Sequence, residues 1–111
     1  MHILPIINNT YILYKKIINV NQKLTKINRY NIGSSIENTT LNLLEYLIMA
    51  KNAPKTLKMP YLIKAGALSE IIVLKLRLYL ELKLVNEIQV FQLQSLVREI
   101  SRMIGGWKKS L

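Results

Sequence analysis

Residues 60–107 read PYLIKAGALSEIIVLKLRLYLELKLVNEIQVFQLQSLVREISRMIGGW. Small and apolar side chains recur in them at three- and four-residue steps. Leu62, Ala65, Ser69, Ile72, Leu76, Tyr79 and Leu80 form one stripe, which is the spacing of a helix face and not of a strand. Leu68, Ile71, Leu74, Leu78 and Leu82 carry the apolar surface well beyond that face. A surface helix needs an apolar arc of about 100°. This one has more, so it is central in its bundle or covered on a second side by another chain. Then comes "VNEIQ". Asn86 fits an N-cap there, and Gln89 stands where a capping box is completed. Leu93, Leu96, Val97, Ile100, Met103, Ile104 and Trp107 follow in a seven-residue pattern.

Upstream, Ile7, Tyr11, Tyr14, Ile18 and Leu24 mark one face of a first helix, with Pro5 suited to its first turn. Lys15, Asn19, Lys23 and Lys26 form a stripe on its far side. "NRYNIGSS" breaks the pattern. A second helix follows, with Ile36, Leu43, Leu47 and Ala50 inward and Leu41, Leu44 and Ile48 widening that face; its start lies at Ser34 or several residues earlier. "KNAPKTLKMP" is a loop. The expected helices are about 6–25, 34–51, 60–84 and 87–108. Four helices on short links make a single all-α domain, an antiparallel up-down four-helix bundle.

Sixteen Lys and Arg stand against six Glu and no Asp, a net charge of +10 on 111 residues. Such an excess favours a polyanionic partner. An AT-rich genome, which enriches Lys, Asn and Ile together, is the competing origin of this composition. The chain has no Cys and one His, His2, so disulfides, thiolate metal sites and a zinc site are not expected. No apolar run approaches the ~18 uncharged residues of a membrane span. The longest, "AGALSEIIVLKLRLYLEL", is broken by Glu70, Lys75 and Arg77. No signal peptide is legible, and the expectation is a cytoplasmic protein with no membrane partner.

Catalytic constellations are missing. No Ser lies in a nucleophile elbow, no phosphate-loop glycine pattern occurs, and no Glu-x-x-His pair offers a di-iron site. The expectation is a non-enzyme with no cofactor and no small-molecule substrate. Candidate functional residues are therefore basic. The first 36 residues hold Lys15, Lys16, Lys23, Lys26 and Arg29 and no acid. Their long chains suit phosphate contacts that read no base. Tyr11, Tyr14 and Tyr30 offer faces for base stacking, although Tyr11 and Tyr14 lie on the apolar stripe and read first as core. Arg98 and Arg102 stand one turn apart on the last helix. Glu99 can pair with Arg102, while Arg98 has no acid one turn away. That ridge is either a phosphate contact or a solvated face. Arg77, one turn before Glu81, is either a phosphate contact or half of a helix-surface ion pair.

The order Arg77, capped turn, then Glu99, Arg102, Gly105 and Trp107 resembles the accessory variability determinant proteins of diversity-generating retroelements. These belong to a four-helix family that includes proteins encoded in intervening sequences of bacterial 23S ribosomal RNA genes. The similarity covers about the last 50 residues, and "KLTKINRYNIGSSI" matches the family more loosely. The resemblance implies a barrel-shaped homopentamer with a basic surface. It also implies binding of RNA or DNA and association with a reverse transcriptase during mutagenic cDNA synthesis. Within the family, the intervening-sequence branch is the alternative, a structural or RNA-binding bundle with no polymerase partner. One departure stands out: Val73 occupies the position one turn before Arg77, where some members carry a second basic residue.

Gly105 and Gly106 interrupt the seven-residue pattern just before Trp107. Glycine costs about 1 kcal/mol against Ala inside a helix. Either a neighbouring helix or subunit approaches the backbone closely, with Trp107 as anchor, or the glycines end the helix as a left-handed cap. The seven-residue step from Ile100 to Trp107 favours the first.

Overall fold

The computed structural model describes residues 3–111, with side chains from Pro5 onward; His2 lies outside the described residues. α1 is Ile3–Asn21. α2 passes through three consecutive helical segments: Lys26–Asn28, a π-turn at Arg29–Gly33, and Ser34–Asn52. A 3-10 turn, Lys55–Leu57, leads into α3, Lys58–Glu81, and α4 is Glu87–Lys109. Each helix packs on its neighbours in sequence, and α4 closes the ring against α1. The links are short, which makes neighbours antiparallel. The hydroxyls of Ser69 and Ser101 share a hydrogen bond, and the Gln94 amide donates to the Val73 carbonyl, which fixes the α3–α4 register. The bundle measures 44 × 22 × 19 Å.

The inner faces of α2, α3 and α4 follow the periodicity of the sequence. Ile36, Leu43, Leu47 and Ala50 are fully buried, as are Leu62, Ala65, Ile72, Leu76 and Tyr79, and Val97 and Ile100 on α4. Burying each large apolar side chain contributes about 1.5–3 kcal/mol. Asn86 caps α4, its side chain accepting from the Gln89 amide at 2.8 Å. The link before it is a helix stop of Schellman type. Lys83 takes the left-handed position at φ 56°, and the Leu84 amide reaches back to the Tyr79 carbonyl.

α1 differs from expectation. Its buried face is Ile6, Thr10, Leu13 and Ile17, ending at Asn21, whereas Tyr11 is half exposed and Ile7, Tyr14 and Ile18 are only partly covered. The face is rotated because polar residues hold two core positions. Thr10 is tolerated there because its hydroxyl donates to the Ile6 carbonyl of its own helix. α1 also stops at Asn21, four residues early. Lys23 therefore lies in a turn and Lys26 opens α2, so the stripe through Lys15, Asn19, Lys23 and Lys26 is not one helix face.

The expected break at "NRYNIGSS" is helical. Thr25 caps the start of α2 through the Asn28 amide, and the π-turn inserts one extra residue before Gly33. The reason lies on α1. Asn21 is buried against Gly33, and its side-chain amide donates to the Gly33 carbonyl and to Glu37. A Cβ on Gly33 would sit 3.2 Å from the Asn21 side chain, so glycine provides the space.

Candidate nucleic-acid interface

The basic residues flagged by the sequence do not converge on one spot. Lys15 and Lys16 are exposed on α1, with the Lys15 ammonium 5.4 Å from the centre of the Tyr11 ring. Lys16 edges a groove between α1 and α4 with Asn19, Gln89 and Gln92. Lys23 and Lys26 lie at the α1–α2 turn, close in sequence to exposed Arg29 and Tyr30. Arg98 and Arg102 are exposed on α4.

Pairing separates these arginines. The Arg102 guanidinium is hydrogen-bonded to Glu99, and that bond, then the carboxylate charge, raises its pKa further. Arg98 forms no ion pair, so its charge is unneutralised. Arg77 lies 3.8 Å from Glu81, both side chains largely exposed. That is the helix-surface pair, an interaction of a few tenths of a kcal/mol. Among the described residues these are the only two ion pairs, so most of the positive charge has no acidic partner within contact distance.

Lys75 is not part of a free surface. Its ammonium leans onto α2, donating to the Ser35 and Thr39 hydroxyls at 2.7 Å, and burial lowers its pKa. It fastens α3 to α2 instead of reaching outward.

The antiparallel fold also builds a lysine cluster that linear reading passes over. The C-termini of α2 and α4 and the N-terminus of α3 meet at one end of the bundle. They bring Lys51, Lys55, Lys58, Lys64, Lys108 and Lys109 to that end. No acidic side chain occurs in residues 46–69 or 100–111. Lys58 is committed to the fold, donating to the carbonyls of Ala50 and Lys51 at the end of α2. The signal available in the sequence was the acid-free run from Tyr46 to Ser69.

The helix continues through Gly105 and Gly106 to Lys109, and no described glycine has a positive φ. The glycines therefore do not form a left-handed cap. Trp107 is buried in the core, 2 % exposed. A Cβ at Gly105 would meet nothing within 4 Å. Within one protomer, then, no neighbour requires glycine there; it borders a shallow groove between α3 and α4 with Gly66, Ser69 and Ser101.

Among the described residues no cluster of acidic, His or Cys side chains could hold a metal ion, and no helix is long and apolar enough to cross a membrane. Comparison with family models, with curated proteins and with solved structures finds no match to this chain.

Proposed function

We propose that this protein is a non-enzymatic, nucleic-acid-binding four-helix accessory protein acting in the cytoplasm beside a retroelement reverse transcriptase. In this role it supports mutagenic cDNA synthesis from a template-repeat RNA. The observation that carries the nucleic-acid part is the unneutralised charge: sixteen basic side chains, two ion pairs, and a lysine cluster with no acid near it in sequence. Contacts made by such chains go to phosphates and carry no sequence information. The polymerase part rests on the resemblance through Arg77, Glu99, Arg102, Gly105 and Trp107. The same resemblance suggests a five-membered ring, and the all-round apolar surface of α3 supports an oligomer of some order.

Salt titration tests the first part. Each phosphate neutralised contributes about −0.9 to the slope of log K against log salt on duplex DNA, and about −0.7 on single strands. Engagement of more than a few phosphates gives a slope steeper than about −3. No binding at low salt overturns the reading and leaves the charge to genome composition. The second part is tested by cDNA yield from a template-repeat RNA, with the polymerase alone and with this protein added. An unchanged yield, with binding intact, points to the intervening-sequence type of bundle.

A further inference from the structure

α3 has two apolar faces. One is the core stripe, Leu62 to Tyr79. On the opposite, outward side, Ile63, Ala67, Ile71, Leu74 and Leu78 are exposed, Leu74 to 61 % and Ile63 to 56 %. From Ala67 to Leu78 they recur at steps of four, three and four, the seam of a two-stranded coiled coil. A helix apolar all round is ordinarily covered on both sides. Charges flank the seam in a definite order: Lys64 before it, Glu70 and Arg77 along the α4 side, and Glu81 after it, all exposed.

That order selects the occupant. Suppose a second copy of α3 lies antiparallel on the first, related by a two-fold axis near the middle of the helix. In the register that sets Ile71 against the partner's Leu74, Ala67 meets the partner's Leu78. Lys64 meets the partner's Glu81, and Glu70 meets the partner's Arg77. The two-fold axis repeats each match, so four opposite-charge pairs frame a continuous apolar seam. A parallel two-fold pairing instead sets Lys64 against Lys64 and Glu81 against Glu81 along the seam. Lys75, which would be a flanking charge in either arrangement, is already engaged by Ser35 and Thr39 on α2.

We propose that the outer face of α3 binds a second copy of this chain, antiparallel and two-fold symmetric, through the Ala67–Ile71–Leu74–Leu78 seam with Lys64–Glu81 and Glu70–Arg77 pairs between chains. The pairing stands apart from the nucleic-acid reading. It is isologous, so it closes at two chains. A ring of five has no two-fold axis relating its members and cannot use it.

Sedimentation or light scattering at tens of micromolar should give twice the 12.9 kDa mass of the chain. Leu74→Glu, with its side chain already solvent-facing, should give a single-chain mass with unchanged helical circular dichroism. Arg77→Glu and Glu70→Arg should each weaken the pair by facing like charges across the axis, and the double exchange should restore it. A mass of one chain or of five overturns the proposal. So does a two-chain mass indifferent to Leu74→Glu, or a double exchange that restores nothing.

Discussion

The hydroxyl of Tyr79, near the end of α3, donates to Oδ1 of Asn21, the last residue of α1, at 2.5 Å. The same side-chain amide of Asn21 donates to the Gly33 carbonyl and to Glu37 on α2. One buried Asn therefore ties three helices at the end of the bundle where α1 turns into α2. Removing the Tyr79 hydroxyl leaves a buried oxygen unpaired, which costs about 1–3 kcal/mol. Tyr79→Phe should lower the melting temperature by several degrees. An unchanged value means that water satisfies Asn21.

The same phenol gives the fold an alkaline limb. Burial, then the charge of Glu37, raises the Tyr79 pKa, while the bond to Asn21 lowers it by less. A pKa raised in the folded state contributes stability that is complete below the unfolded value of about 10 and is lost as pH rises beyond it. Lys75 acts oppositely, since burial lowers its pKa and the resulting penalty fades at high pH. Comparing wild type with Tyr79→Phe cancels the Lys75 contribution. Between pH 8 and 11 the wild type should lose more stability than the variant. Parallel pH profiles would place the ionising phenol in solvent.

Gly33 and Gly105 should respond to alanine in opposite directions. Each gains about 1 kcal/mol of helix propensity. At Gly33 the new Cβ meets Asn21, which three hydrogen bonds hold in place, and overpacking costs about 1–3 kcal/mol. Gly33→Ala should therefore destabilise. At Gly105 nothing lies within 4 Å, so Gly105→Ala should raise stability by up to about 1 kcal/mol in urea titration. A loss there would show that another chain packs closely on that backbone.

Much of this architecture was legible because the apolar residues of α3 and α4 recur faithfully and Asn86 announces a helix start. The face of α1 was not. Thr10 and Asn21 are polar residues at core positions, and the partner that makes Asn21 acceptable, Tyr79, is 58 positions away. The π-turn hid for a related reason: Asn28, Asn31, Gly33 and two serines spell a loop until Asn21 is packed against them. The lysine cluster could not be read linearly, because its members come from three helices that only the antiparallel fold brings to one end.

Lys83 is a residue on which local chemistry and conformation disagree. It holds φ 56° at the stop of α3, a position where a Cβ costs roughly 1–2 kcal/mol per residue. Its side chain is exposed and makes no hydrogen bond. Lys83→Gly should stabilise the protein by about 1 kcal/mol after the entropy of glycine is counted. A destabilised variant would mean that the lysine side chain contributes a contact outweighing the strain.

The Arg98–Arg102 ridge can be tested by releasing a charge as well as by removing one. Glu99 holds the Arg102 guanidinium, so phosphate must compete with a carboxylate for it, whereas Arg98 faces no such competitor. If the ridge lies on bound RNA or DNA, Glu99→Gln should tighten binding and Arg98→Gln should loosen it. Freeing one arginine for one phosphate should steepen the salt slope by about 0.9 on duplex DNA, and deleting one contact should flatten it by the same amount. Both changes should be alike for unrelated sequences, because phosphate contacts do not discriminate bases. Stability should hardly move, since an exposed pair of this spacing contributes only about 0.2–0.5 kcal/mol. Salt titrations of the two variants beside wild type, on one duplex and one single strand, read all of this. If Glu99→Gln binds as wild type does and Arg98→Gln does too, the ridge is only a solvated face. The lysines at the α2–α3 end, tested by Lys108→Gln with Lys109→Gln, and then Lys15 and Lys16, would carry the phosphate contacts instead.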